Sequence, residues 1–366
     1  MAMAQWLEAY GNSAVLASGG GLIGGLFGFF AQRSRFCLRA AVIEFWHRRL
    51  GDKLSVWLLA FASAVIAVQT MVLMGWLDTN NARQIAATGS LSGALIGGLA
   101  FGIGMVMTRG CASRLLVLSA NGNLRALLSG LIFAVTAQSA LSGVLSPLRL
   151  LISSWWTVQG GASRDLLAIT GLGHSAGLAM GGVWLIAALY FALRSPNRSF
   201  WMWVGGIGTG LMVAAAWGFS QWVARESFDP VQIQGLTFSG PSAEWLMRIV
   251  QWPWPPIGFE FGLMPGVFIG SLMGALIGKD WKLEGFTDGY SMRRYIGGAI
   301  LMGFGSMLAG GCAVGAGVTG GAIFALTAWL SLVGMWLGAG LTDRWLDGSK
   351  SAQPSPTLSS STLTAP

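Results

Sequence analysis

The chain reads as an all-α polytopic membrane protein of about nine transmembrane helices, arranged as an inverted repeat (four spans, one linker, four spans) with re-entrant half-helices. Three observations predict this. Charged residues make up 10% of the 366 positions and apolar residues 54%, against roughly 25% charged in soluble domains. Glycine supplies 55 residues, in keeping with the small side chains that let helix backbones approach in lipid. The third observation is a motif written twice: Gly102, Gly104, Gly110, Cys111 and Ala112 recur as Gly303, Gly305, Gly311, Cys312 and Ala313, each displaced by 201 positions. A looser echo, displaced by 202, sets Phe36 and Cys37 against Phe238 and Ser239. Repeats with interrupted hydrophobic segments in matching positions point to a site at the repeat interface.

A helix needs about 20 mainly apolar residues to cross the hydrocarbon core. Taken in order, the runs that meet this are 13–31, 54–77, 88–108, 124–146, 166–193, 200–222, 257–278, 295–312 and 318–343. The gaps between them support the division. Arg33, Arg35, Arg39, Arg48, Arg49 and Lys53 fill the first gap, and Arg109, Arg114 and Arg125 surround the third. Arg194 and Arg198, then Lys279, Lys282, Arg293 and Arg294, and finally Arg344 and Lys350 occupy later gaps on the same side. These alternate gaps hold 17 of the 22 Lys and Arg residues; Arg83, Arg149, Arg164, Arg225 and Arg248 remain for the other side. Because cytoplasmic loops carry the cationic excess, the N-terminus is expected outside and the C-terminus in the cytoplasm, with an odd number of spans. The net charge of +8 is thereby read as a topology signal and not as a nucleic-acid surface.

The repeat then divides the chain into a first unit at 1–165, a linking transmembrane helix within 166–199, a second unit at 200–347, and a tail at 348–366 whose Ser, Thr and Pro content predicts disorder. Matching spans run in opposite directions, which places a pseudo-two-fold axis in the membrane plane. No cleavable signal is expected, since MAMAQWLEAY lacks a basic n-region. The gap segments 36–46, 112–120, 242–250 and 313–321 are too apolar for simple loops and read as half-helices. Broken backbone at membrane depth is tolerated only inside protein or beside a water-filled cavity, so four breaks imply a central polar path.

Each break sets a sulfur or hydroxyl near the start of a short helix, where unpaired N–H groups and the helix dipole favour negative charge. No carboxylate interrupts the glycine–cysteine motifs, so an anion is the better permeant. A thiol is a soft, polarizable, weak donor, better matched to a terminal sulfur or selenium than to a hard oxyanion. The candidate substrate-binding residues are Cys37, Cys111, Cys312 and Ser239, with Gly110 and Gly311 shaping the breaks. Arg109, together with Arg114, reads as either an anion collector or a topology determinant at the cytoplasmic mouth. A lone membrane cysteine is often only a small hydrophobe; three at matched breaks weigh against that. An odd count with no CxxC pair and only two histidines gives neither a disulfide framework nor a metal site. No catalytic residue, metal or cofactor is expected. His174, Gln69, Gln138 and Gln221 are expected to bond between helices, Glu44 to pair at the surface with His47, Arg48 or Arg49, and Trp252 to Pro256 to form an outer cap.

At these residues a resemblance emerges. Arg33-Ser-Arg-Phe-Cys-Leu-Arg39, Thr108-Arg-Gly-Cys-Ala-Ser-Arg114, Leu236-Thr-Phe-Ser-Gly-Pro241 and Gly310-Gly-Cys-Ala-Val-Gly-Ala-Gly317 are similar to the motifs of the YeeE/YedE sulfur transport family, in order along nearly the whole chain. The resemblance implies uptake of thiosulfate across the bacterial inner (plasma) membrane through an hourglass-shaped protein, with Cys37, Cys111 and Cys312 passing the anion along. It also implies a small cytoplasmic sulfur-carrier protein as partner, besides membrane lipid. One branch of the family handles selenium compounds, which stays open as an alternative. A membrane thiol oxidoreductase is the rival from another class.

Overall fold

The structure is a computed structural model. It describes residues 2–346 apart from 50, 196–197, 228, 251, 253–256 and 286–288, and the backbone alone at 2–10, 249 and 290–291. The tail at 348–366 and all but Trp252 of the expected outer cap lie outside the described residues.

The first half holds α1 (Ala2–Ser34), α2 (Leu38–Trp46), α3 (Asp52–Leu73), α4 (Arg83–Ala86), α5 (Leu91–Met107), α6 (Ala112–Ala120), α7 (Leu124–Ser142) and α8 (Ser146–Ser154). After α9 (Leu166–Ile169) and α10 (His174–Arg194) come α11 (Phe200–Glu226), α12 (Ser239–Val250), α13 (Phe259–Gly278), α14 (Gly289–Leu308), a π-helical turn at Ala313–Gly320, and α15 (Leu326–Leu346). The two-residue strands β1 (Gly89–Ser90) and β2 (Thr157–Val158) pair antiparallel. Among the described residues, eight stretches are long and apolar enough to cross a membrane. The ninth expected span corresponds to α15, 21 residues long, which carries Asp343 and Arg344 in its last turn and ends at Leu346.

Several expected boundaries move: α1 begins at Ala2 and not 13, and α14 at Gly289 and not 295. The fifth span starts at His174 and not 166, because Gly171 takes a left-handed φ of 67° and ends α9 early. The ninth starts at Leu326, because 313–320 winds as a π-turn and Phe324 reverses the chain at φ 55°. All four expected half-helices form: α2, α6, α12 and the π-turn.

The packing comes in pairs. Helix α1 lies on α13 as α11 lies on α3, and α5 lies on α15 as α14 lies on α7. The half-helices follow suit: α6 on α7 as the π-turn on α15, and α2 on α3 as α12 on α13. The α1–α13 seam explains the glycine count. A Cβ on Gly20, Gly24 or Gly28 would sit 2.1–2.6 Å from the carbonyls of Phe259, Leu263 and Val267, and one on Gly262, Gly266 or Gly270 would sit 1.8–2.3 Å from those of Ala17, Gly21 and Gly25. The two backbones interlock, which only glycine at i, i+4, i+8 on both helices permits.

One half-helix is anchored by a helix defect. Pro265 lies within α13 and has no N–H for the carbonyl four residues back, at Phe261. Trp245 of α12 supplies the donor: its Nε1 bonds the Phe261 carbonyl at 3.1 Å while its ring stacks on the Phe261 ring, centroids 4.6 Å apart. Elsewhere Gln69 donates to the Ala322 carbonyl at 2.7 Å and faces His174 Nδ1 at 3.3 Å, and Gln221 accepts from the Asp78 amide, so both tie separate elements as expected. Gln138 bonds Ser142 of its own helix instead. Glu44 also departs from expectation: it accepts the Lys53 and Leu54 amides, both at 2.9 Å, and so caps α3 from the end of α2.

Candidate functional site

Cys37, Cys111 and Cys312 share one local design. Two residues before each, the chain turns left-handed, at Arg35 (φ 55°), Arg109 (φ 58°) and Gly310 (φ 77°). The next amide, of Phe36, Gly110 or Gly311, reaches back five residues to the carbonyl of Ala31, Met105 or Ser306 at 2.9–3.1 Å. This is the Schellman way of ending a helix. The chain then straightens, and the cysteine becomes the N-cap of α2, α6 or the π-turn. Gly311 is needed for space as well, since a Cβ there would lie 2.7 Å from the Ala316 amide nitrogen. The N-cap position explains the placement of chemistry: each sulfur sits beside the unpaired amides of a helix start, where a negative partner is favoured.

All three thiols are free and buried, at 8%, 1% and 1% exposure for Cys37, Cys111 and Cys312. Cys312 Sγ accepts the Gly315 amide at 3.5 Å, and Cys111 Sγ lies 3.4 Å from Ser113 Oγ. Cys37 and Cys111, 74 residues apart in sequence, interact directly through their side chains. The mostly buried Arg114 acts on both sulfurs, and its Nη1 donates to Gln32 Oε1 at 3.3 Å. Arg114 also lines a cavity of about 220 Å³ with Gln32, Arg35, Asn121, Asp280 and Lys282. Arg35 and Asp280 form an ion pair of 3.5 Å there. Arg109 is exposed at its turn, so Arg114 is the cation that acts on both thiols, with Arg39 acting on Cys37 as well.

Ser239 opens α12 and is buried, its Oγ 3.4 Å from Thr237 Oγ1. The loop before it lies on the π-turn: Thr319 Oγ1 donates to the Leu236 carbonyl at 2.6 Å, and a Cβ on Gly315 would meet Thr237 Oγ1 at 2.4 Å. Ser239 and Cys312 thus belong to one half-site, as Cys37 and Cys111 belong to the other.

Against the π-turn lies a second cavity of about 440 Å³. Its lining includes Arg83, Arg149 and Arg164, with Gly310 and Ala316 flanking Cys312, and no carboxylate. Arg164 is only 6% exposed. It donates to the carbonyl of Ala87 and, at 2.7 Å, to Thr327 Oγ1, while its Nε has no partner. Burial lowers the pKa of this guanidinium, which is the electrostatic statement that its charge lacks solvation and gains from an anion beside it. Arg149 is held by its Nε bond to the Ala140 carbonyl at 2.7 Å. These three arginines were met in the sequence only as the cation-poor side's remainder; that three of its five cations flank the second cysteine's repeat was the available signal. Among the described residues no group of three metal-ligating side chains forms.

The geometry is thus a cationic cavity walled in part by Gly310 and Ala316, the buried thiol of Cys312 in the chain between them, and a pair of thiols with an arginine at another cavity. A profile of a family described as sulphur transport matches residues 33–341, which takes in all of these residues. The chain belongs to that family. Within curated proteins it is similar to the thiosulfate transporter TsuA of Escherichia coli strain K12, 26% identical over 344 residues that span 89% of this chain and 93% of that protein. It is also similar to the thiosulfate transporter TsuA of Spirochaeta thermophila, 27% identical over 335 residues, 87% of this chain and 95% of that one. The YeeE/YedE resemblance read from the four motifs is the same family, and the cysteines fall inside the matched region.

Proposed function

We propose that the chain is a bacterial inner-membrane permease that takes up thiosulfate along its buried thiols. The observation that carries this is the cationic cavity of Arg83, Arg149 and Arg164, whose wall includes Gly310 and Ala316 on either side of the N-cap residue Cys312 in the chain. The cavity draws in a dianion; the helix start and thiol receive it. Relatives named thiosulfate transporters, aligned over nearly their whole length, support the choice of anion. Thiosulfate has a hard sulfonate end for arginine and amide donors and one soft terminal sulfur for thiols. Several weak sites in series let an ion enter and leave.

The anion passes from Cys312 and Ser239 inward to Cys111 and Cys37. Direct interaction between the last two makes them one receiving site, with Arg114 as counter-charge and the 220 Å³ cavity as exit. Gly110 and Gly311 serve by ending the preceding helices; Arg109 serves at the inner surface. The paired packing supports reading 1–165 and 200–347 as inverted copies about the linker at 166–199, with the N-terminus periplasmic and the C-terminus cytoplasmic. A small cytoplasmic sulfur-carrier protein would take the anion from the exit cavity.

The thiol oxidoreductase reading gains one observation, the adjacency of Cys37 and Cys111. Serine separates the two: a hydroxyl keeps a polar contact but does no redox chemistry, so Cys37→Ser retains part of a permease's activity and none of an oxidoreductase's. The test of substrate is uptake of labelled thiosulfate into proteoliposomes containing this protein alone, with sulfate and selenite as competitors. Uptake unaffected by sulfate is the expected result. Sulfate competing as well as thiosulfate itself overturns the soft-sulfur account, and competition by selenite alone moves the assignment to selenium.

A further inference from the structure

The residue before the chemistry in each repeat is a phenylalanine, and both rest on the same ring. Phe36 precedes Cys37, and Phe238 precedes Ser239. Phe27, in the body of α1, has its ring centroid 5.3 Å from that of Phe238, tilted by 38°, and 6.4 Å from that of Phe36, edge to face at 78°. All three are buried, at 0%, 1% and 3% exposure for Phe27, Phe238 and Phe36. Phe36 belongs to the half-site of Cys37, Cys111 and Arg114. Phe238 belongs to the half-site of Ser239 and Cys312. Phe27 therefore joins the two half-sites, and the joint is made of rings.

We propose that Phe27, with Phe36 and Phe238, forms an aromatic septum between the outer and inner half-sites and is the element that excludes sulfate from the path. The inference rests on the thiosulfate reading above and adds to it a residue that sets specificity without holding the anion. An ion moving from Cys312 to the Cys37–Cys111 pair has to displace these rings or slide along their edges. It leaves the arginines of the outer cavity behind and has not yet reached Arg114. The rings themselves offer no hydrogen-bond donor, so an ion carrying four equivalent, strongly hydrated oxygens gets nothing from them to replace its water. An ion with a weakly hydrated sulfur at one end can lead with that end. Ring edges carry the positive lobe of the aromatic quadrupole, and sulfur at a ring edge is a favourable contact. The same three rings thus oppose one anion and admit the other, with no charged residue taking part.

The experiment is thiosulfate uptake into proteoliposomes by the wild type, Phe27→Ala, Phe27→Leu and Phe219→Ala, each titrated with sulfate. Phe219, on α11 with its ring 6.1 Å from that of Phe259, controls for loss of packing alone. We expect Phe27→Ala to lower by at least tenfold the sulfate concentration that halves uptake, and to admit labelled sulfate. Phe27→Leu keeps an apolar barrier without a ring edge, so it should still exclude sulfate while thiosulfate uptake slows severalfold. Phe219→Ala should leave the sulfate exclusion as it is. A folded Phe27→Ala protein that excludes sulfate like the wild type overturns the septum. If Phe27→Ala fails to fold, Phe27→Leu decides: wild-type thiosulfate uptake by it overturns the proposal. Failure of the wild type to move thiosulfate at all is a different result, and it overturns the reading of substrate on which the septum depends.

Discussion

Replacing Arg164 by glutamine tests the outer cavity most sharply. The side chain is 6% exposed, with donors committed to the Ala87 carbonyl and Thr327 Oγ1 and an Nε without a partner. One charge-assisted hydrogen bond to an anion is worth about 1.5–3 kcal/mol, so its loss should raise the KM for thiosulfate roughly 10- to 150-fold. Arg83 is exposed, so its charge is screened within about 8 Å at physiological ionic strength; Arg83→Gln should raise KM by no more than about threefold, and only at low salt. The assay is initial-rate uptake into proteoliposomes at low and high ionic strength. The Arg164→Gln effect should persist at high salt because a buried charge is little screened. A well-folded Arg164→Gln protein with wild-type KM at both salts would refute the placement of the anion in this cavity. So would a uniform salt dependence for both variants, since that would make the arginines a diffuse field and not a site.

Three further outcomes follow from packing and chemistry. Gly266→Val places a Cβ 2.3 Å from the Gly21 carbonyl and should lower stability by about 3 kcal/mol, the upper end of the usual overpacking cost, read as thermal unfolding in detergent; Gly130→Ala, with open space around the new methyl, should leave the melting temperature unchanged or raise it slightly. Trp245→Phe leaves the Phe261 carbonyl without its donor and should cost about 1–3 kcal/mol, but much less in a Pro265→Ala background, where the restored amide takes over; equal costs in both backgrounds would break the link between the two residues. Arg114→Gln should lower uptake at least tenfold while leaving binding at the outer cavity intact by isothermal titration, because its charge serves the inner thiols alone; lost binding would mean that the two half-sites are not separate.

The extent to which the sequence disclosed this molecule depended on distance along the chain. Motifs compact in sequence were readable: the breaks at Phe36 to Trp46 and Ala112 to Ala120 become α2 and α6, because the residues that stop one helix and cap the next are neighbours. Glycines of the repeated motif pack as the glycine-rich composition suggests, Gly102 against the Met335 carbonyl and Gly305 against the Phe101 amide nitrogen. What depended on chain-distant contacts was not readable. Arg83 comes from the connection before α5, and Arg149 and Arg164 from the one after α7, so they converge only in three dimensions, and nothing local distinguishes them from topology signals. The contact of Cys37 with Cys111 needs α1 and α5 to end at the same depth. Glu44 looked like one member of a surface charge cluster, yet it caps α3 because α2 ends beside that helix's first amides. Gln138 looked like a membrane hydrogen-bonding residue, and satisfies itself within one turn of α7.

The central claim is that the anion travels on the thiols, and the direct measurement is initial-rate thiosulfate uptake by purified Cys37→Ala, Cys111→Ala and Cys312→Ala proteins in liposomes, beside the wild type and the three serine variants. The account predicts that each alanine variant stays folded and loses at least ninety per cent of the rate, roughly the tenfold that one lost contact of about 1.4 kcal/mol gives, with serine restoring a measurable part. Wild-type rates from all three alanine variants would contradict it, and would leave the buried cysteines as small core side chains and nothing more.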